Sequence, residues 1–273
     1  MNLAFQPPKS LLGQMRQAAR QVWELAVNLA EAALEKMGIA LYRRRADYHY
    51  CPRIYGTSHH KLLDPRELEP FNGLARAVID QGRTSLYYDR LYFIYQAIGN
   101  LSSLPNHDYS LAEVGVYKGG STYFIAAVAE KVLGRKVLIH SFDTFSGHPD
   151  DIQPELDGGH STAAFRDTSF AEVQRYLSGF ANVILHKGRF QDTCHQVSRE
   201  KFAFVHIDVD IYSATRDCLN FFSELLVPGG IIIVDDYGFT TCRGVRRRWT
   251  VLSSKERIFL NFTWRPASVC WSA

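Results

Sequence analysis

FAFVHIDVD (Phe202–Asp210) and PGGIIIVDDY (Pro228–Tyr237) are the two stretches that decide the reading of this chain. Each is a short apolar run closed by a pair of aspartates, Asp208 with Asp210 and Asp235 with Asp236. Runs this short, rich in β-branched and aromatic residues, read as buried strands rather than helices. Ala214–Leu226, between them, has helical spacing, and Pro228-Gly229-Gly230 reads as a turn. The same alternation extends backwards: LAEVGV from Leu111, a helix over Ser121–Leu133, VLIHSFD closing on Asp143, a helix over Phe170–Leu177, then ANVILHKG. Strands alternating with helices imply right-handed crossovers. The expected fold is α/β, a mostly parallel sheet with helices on both faces.

Composition narrows the function. The chain has 273 residues, 46% hydrophobic and 22% charged, and a formal net charge of +3, too small to argue for nucleic acid. The runs Arg43-Arg44-Arg45 and Arg246-Arg247-Arg248 read as solvated faces. Five cysteines without a CxxC indicate neither a disulfide framework nor a zinc knuckle, and the ten histidines include no HExxH. No apolar run reaches membrane-spanning length, and the first residues lack the pattern of a secretory signal, so a cytoplasmic protein is expected.

Upstream of the sheet, residues 10–38 read as a helix. Leu12, Met15, Ala19, Val22, Ala26, Leu29, Ala33 and Met37 form one face, expected to pack on the main domain or on a twin subunit in a homo-oligomer. A membrane-surface helix is the weaker reading, because Arg16, Arg20, Glu24 and Glu35 give the polar face both signs. Residues 51–85 read as an irregular connection or lid, and Asp89–Leu101 as an amphipathic helix. The expected organisation is 1–85 extension and connection, 86–245 core, 246–273 atypical tail.

In an open parallel sheet, ligands bind beyond the carboxyl ends of the strands. After the Leu111 strand comes Glu113-Val-Gly115-Val-Tyr-Lys-Gly119-Gly120-Ser121, a GxxxGG turn into a helix whose free N–H groups can meet an anion. A glycine turn before a helix is also common as plain structure. Asp143 closes the next strand, where an acid can accept from ribose hydroxyls, although a lone aspartate there also serves as a turn former. Together the two favour a nucleoside, and a turn without the GxGxxG pyrophosphate cradle leans to S-adenosylmethionine over NAD.

The aspartate pairs form the other half of the expected site. If their strands lie side by side, four carboxylates face one crevice and must share protons or a cation. As single residues they would be strand ends and turn formers; as two clusters on one edge they favour a hard divalent cation such as Mg²⁺. A cation on an alcohol oxygen lowers its pKa, and a neighbouring carboxylate can take the proton.

With these motifs in hand, EVGVYKGGS, SFDTFSGHP, KGRFQDT, FAFVHIDVDIYSAT, PGGIIIVDDYG and CRGV, in order over roughly residues 111–245, resemble the macrocin O-methyltransferase (TylF-type) family. Those enzymes methylate sugar hydroxyls of natural products. The resemblance implies a Rossmann-like class I methyltransferase, S-adenosylmethionine and Mg²⁺, and a small-molecule hydroxyl acceptor. It puts Asp208, Asp235 and Asp236 on the metal and makes Asp210 the general base. It puts Glu113, Gly115, Gly119, Ser121, Asp143, Gly188, Phe190 and Asp208 around the cofactor. His148 and His160 flank a segment that looks like a lid.

Beyond CRGV the likeness stops. The family pattern calls for AVD-F, a helix and two strands joined near TGQ; this chain has RWTVLSSKERIFLNFTWRPASVCWSA. Read one base out of frame, with permissible synonymous codons, this tail yields AVDGFVEQRAHFSELHLATGQCVLVS. A frame shift near Arg247 or Arg248 is therefore expected, with the C-terminal β-hairpin altered or absent. Two alternatives stand beside the sugar methyltransferase: an enzyme for catechol-like phenols, for which Tyr87, Tyr88, Tyr92 and Tyr95 would supply aromatic walls, and a cofactor-binding protein impaired by its tail.

Overall fold

The computed structural model describes residues 68–105, 108–149, 152–158, 160–162, 164–237, Cys242, Val245, 259–261 and 269–272, and in the N-terminal part Ala19, Val22, Trp23, Ala26 and Ala33. The chain divides into two compact units, Met1–Leu62 and Leu63–Ala273. In the first, those five residues are helical and exposed, Val22 at 67% and Trp23 at 65%. Those five positions agree with the helix expected from the periodicity, but the described members of its apolar face, Ala19, Val22, Ala26 and Ala33, are exposed. The rest of that expectation lies outside the described residues.

In the second unit, residues 63–85 fall with the core rather than with the extension to which the sequence assigned them. The reason is helix α1 (Phe71–Ile79), whose Phe71, Ala75 and Val78 recur at helical spacing and are wholly buried. They join Leu91, Ile94 and Ile98 of α2 (Tyr88–Asn100) and Phe124, Ile125 and Val128 of α3 (Gly120–Leu133) in one cluster. Burying each side chain of this size contributes about 1.5–3 kcal/mol.

The sheet runs β3-β2-β1-β4-β5-β7-β6. Strands β1 (Ser110–Val114), β2 (Ile139–Asp143), β3 (Val183–Lys187), β4 (Phe202–Ile207) and β5 (Leu226–Val234) are parallel, as the alternation predicts. β1 and β4 are buried along their whole length, the pattern of central strands covered on both faces. Chain order reverses between β1 and β4, which makes the crevice above them the place for a ligand. Among the described residues the other α-helices are α4 (Pro154–Asp157), α5 (Phe170–Tyr176), α6 (Phe190–Thr193) and α7 (Tyr212–Leu225). The expected turn at Pro228-Gly229-Gly230 is an interruption within β5. Pairing with β4 steps from Leu226 to Ile231, and Gly229 takes φ +79°.

Of the two outcomes expected for the C-terminal hairpin, altered or absent, absence is excluded: two short strands are present, β6 (Phe259–Asn261) and β7 (Val269–Ser272). β7 pairs antiparallel with Ile231–Val234 of β5, and β6 pairs with β7. Both segments carry strand-favouring residues, and the exposed N–H and C=O groups of β5 supply a template for them. Strand pairing depends on the backbone, so a tail unlike the family pattern can still add to the edge.

Candidate active site

The carboxyl end of β1 turns through Gly115, where φ is +98° and a Cβ would lie 1.8 Å from the Asp208 carbonyl oxygen. Only glycine fits so close an approach to the end of β4. Gly119 is the left-handed N-cap of α3, at φ +85°. Gly120 has a different partner from the one its place in the motif implies. Its N–H donates to the Arg83 carbonyl, and a Cβ there would lie 2.5 Å from that oxygen. The last glycine of the motif admits the chain before α2, not a ligand. Ser121 is buried in the first turn of α3.

Asp143 stands where predicted and is already engaged by the protein. The N–H groups of Val116 and Tyr117 donate to its Oδ2 at 2.7 and 2.8 Å, and that of Phe145 to its Oδ1 at 2.6 Å. Burial raises its pKa and these three donors oppose the rise. The carboxylate ties the β1 turn to the end of β2. Beside it a cavity of about 580 Å³ is lined by Thr144, Ser146, Gly147, His148, Gly188 and Arg189, roomy enough for a nucleoside.

Two residues assigned to the cofactor are elsewhere. Glu113 is 0% exposed; its Oε2 accepts from the Thr122 hydroxyl and its Oε1 lies 3.1 Å from Nδ1 of buried His206. Burial acts against a charged His206, but Glu113, with Asp208 and Asp235, outweighs it and raises the imidazole pKa. An acid one residue before the strand end points into the layer, not the crevice. Phe190 is a core residue as well: its ring packs on Phe142, Phe221 and Phe222 at 5.3–5.6 Å. Gly188, in contrast, lines the cavity.

At the ends of β4 and β5 the four aspartates converge. One oxygen each from Asp208, Asp235 and Asp236 lies within 4.8 Å of the others. Asp210 and Asp236 both adopt left-handed backbone, at φ +60° and +47°, a strained conformation that aspartate tolerates better than most residues. Burial, then Asp235 and Asp236, drives the Asp208 pKa well above the ordinary carboxylate range; burial, then Asp210 and Asp235, does the same to Asp236. Asp210 is pushed up to about 7 by burial and by Asp208, while a hydrogen bond from Asp236 restrains the rise.

Arg90, near the start of α2, reaches into this cluster. It pairs with Asp235 and lies 3.7 Å from Asp236 Oδ1. Burial works against its charge, but Asp235, Asp236 and Asp208 hold it protonated. Sequence reading missed it, although a signal existed: a cation at the positive end of a helix dipole is unfavourable unless an acid neutralises it. His148 and His160 also come to the site, His148 Nε2 lying 3.5 Å from Asp210 Oδ2. Three of the four tyrosines invoked for a phenol pocket serve packing instead: Tyr88, Tyr92 and Tyr95, half-buried, pack edge-on around Phe71 at 5.1–6.2 Å, against the core.

The donor set suits a small hard cation. Three carboxylates converge, and Asp236 Oδ2 is buried without a hydrogen-bond partner, an orphan a cation would satisfy. Among the described residues, no helix is long and apolar enough to cross a membrane.

Comparison with known proteins bears on the family and the fold. The chain is 32% identical over 143 residues to the mycinamicin III 3''-O-methyltransferase of Micromonospora griseorubida, covering 48% of this chain and 56% of that one. It is 31% identical over 144 residues to the 8-demethyl-8-(2,3-dimethoxy-alpha-L-rhamnosyl)-tetracenomycin-C 4'-O-methyltransferase of Streptomyces olivaceus, covering 49% and 54%. It thus spans about half the length of the curated relatives it matches. The fold is similar to that of the calicheamicin methyltransferase CalS11, with TM-score 0.61, 16% identity and coverage of 86% of this chain and 98% of that one. The O-methyltransferase NovP gives TM-score 0.57 at 21% identity, covering 70% and 81%. Residues 90–259, most of the second unit, match the family model of macrocin-O-methyltransferase, and the chain belongs to that TylF family.

Proposed function

We propose that this chain transfers a methyl group from S-adenosylmethionine to a hydroxyl, on a sugar of a natural product or glycoconjugate, with Mg²⁺ at the aspartate trio. The observation that carries this reading is the convergence of Asp208, Asp235 and Asp236 beside Asp210, at the sheet edge that also holds the nucleoside-sized cavity. The curated relatives named above, which act on sugar-bearing compounds, support the acceptor class.

The chain's own residues would divide the work. The β1 turn and the cavity beyond β2 and β3 bind and orient the nucleoside. Asp208, Asp235 and Asp236 would hold the cation, whose chemistry is to acidify an alcohol. Asp210, its affinity for a proton raised by burial and like charge, takes the hydroxyl proton at its carboxylate. Placement of the oxygen in line with the methyl group then supplies much of the rate. S-adenosylmethionine carries the activated methyl group that makes this transfer favourable.

The test is calorimetric binding of S-adenosylhomocysteine with and without Mg²⁺, followed by methyl transfer to a panel of diols and glycosides. Asp210→Asn should keep cofactor binding and lose turnover by roughly 10²–10⁴-fold. Turnover retained in that variant rejects Asp210 as base, and no cofactor binding to the unaltered chain rejects the reading.

A further inference from the structure

Two histidines from the segment after β2 meet two core residues at the inner wall of the site. The rings of His148 and His160 stand edge to face at 5.4 Å. His148 Nε2 is 3.5 Å from Asp210 Oδ2, and His160 Nε2 is 3.3 Å from the sulfur of Cys242. One ligand atom each of His148, His160 and Asp210 lies within 4.8 Å of the others, and Asp210 shares a second such cluster with Asp236 and Cys242. The plain alternative is ordinary polar packing of neutral imidazoles.

One observation speaks against ordinary packing. The His148 side chain is only 8% exposed, and its Nε2 is buried without a hydrogen-bond partner. The approach to Asp210, at 3.5 Å, does not satisfy it. A buried orphan of this kind costs about 1–3 kcal/mol and calls for an explanation. Burial favours the neutral form of both rings, which is the form that ligates a metal. Two edges of a tetrahedral site are in place: zinc, with bonds of about 2.0–2.3 Å, requires N···O edges near 3.3 Å and N···S edges near 3.5 Å, and the His148–Asp210 and His160–Cys242 contacts are 3.5 and 3.3 Å.

We propose that His148, His160 and Asp210 form a second cation site, with Cys242, beside His160, drawn in as the fourth ligand, selective for zinc or a similar borderline transition ion and distinct from the all-oxygen trio. Two imidazoles, a thiolate and one carboxylate disfavour Mg²⁺. Occupancy would fasten the segment bearing the histidines to the core and engage the carboxylate assigned as base, so the ion would inhibit. That consequence rests on the function proposed above; the site itself does not.

Titration of the full chain with Co²⁺ tests the site directly, because a tetrahedral cobalt–thiolate centre absorbs strongly in the visible and near-ultraviolet. One equivalent should develop both bands in the presence of excess Mg²⁺. Cys242→Ser should remove the thiolate band. His148→Ala and His160→Ala should each weaken Zn²⁺ by roughly tenfold or more in competition with a chromogenic chelator. Asp235→Asn should leave the spectrum unchanged. Where an alanine variant fails to fold, judged by its thermal melt in chelator, the glutamine variant replaces it. A featureless spectrum overturns the site, as does one insensitive to His148, His160 and Cys242 but lost in Asp235→Asn. S-adenosylhomocysteine binding, measured separately, reports on the methyl-transfer reading, so the two can fail independently.

Discussion

Arg90 is ion-paired with Asp235, joining the start of α2 to the end of β5 across 145 residues of sequence. The guanidinium sits beside the carboxylates expected to hold a cation, and neutralises part of a charge that water cannot reach. Removing it should therefore cost more without a divalent ion than with one. Arg90→Ala should lose about 3 kcal/mol in chelator, and saturating Mg²⁺ should recover a larger share of stability than in the unaltered chain. Thermal melts under both conditions check this; equal losses in the two would reject it.

Gly115 has a Cβ-sized space already filled by the Asp208 carbonyl. Gly115→Ala should destabilise by about 3 kcal/mol or more, or displace the end of β4. At Gly179 an added Cβ meets nothing within 4 Å, so Gly179→Ala should stay within about 0.5 kcal/mol. Urea unfolding of the two variants side by side tests the contrast.

A histidine pair makes stability depend on pH. His186 Nδ1 is 2.9 Å from Gln196 Oε1, and donates to it. His186 Nε2 is then the acceptor for His140 Nδ1 at 3.0 Å. His140 Nε2 is left buried without a partner. Burial, then His186, lowers the His140 pKa to about 4, and burial lowers that of His186. The unfolded chain, titrating near 6.5, binds more protons than the folded one between those values. Stability present above pH 6.5 should fall as pH drops towards about 4, by up to about 3 kcal/mol from His140. Denaturant melts at about pH 7 and about pH 4.5 measure the loss, and His140→Gln should shrink it.

The tail carries a prediction at the level of the gene. If a frame shift near Arg247 or Arg248 created it, the nucleotide sequence in the adjacent frame encodes AVD-F followed by TGQ. Sequencing the gene settles the matter, and a shifted frame without those motifs rejects the idea. A chain carrying the restored tail should melt higher, because the short strands β6 and β7 would give way to the longer elements that the family pattern calls for.

The parallel sheet was legible because its signal is local: apolar runs between helical stretches, each run long enough to be one strand. The aspartate cluster was legible for the same reason, since strand order brings the ends of β4 and β5 together. Glu113 was misread because sequence places a residue on a strand without saying which layer its side chain enters. Phe190 was misread because an aromatic next to a glycine turn serves a core as readily as a ligand. Arg90 announced only that it needs an acid, not which one, and Cys242 was out of reach, because each meets the aspartates through contacts that no spacing along the chain announces.

Asp157 bears on how the site can admit a ligand. Its carboxylate is buried, with Oδ1 accepting from the Tyr212 N–H at the start of α7 and Oδ2 accepting from the Gln153 N–H, both at 2.7 Å. The stretch between β2 and α5 is thus riveted near its midpoint to the helix that follows Asp210. On either side of that rivet the two arms of the stretch meet: the His148 and His160 rings stand edge to face at 5.4 Å and the His148 backbone N–H donates to the Ala164 carbonyl, so the arm carrying one histidine braces the arm carrying the other.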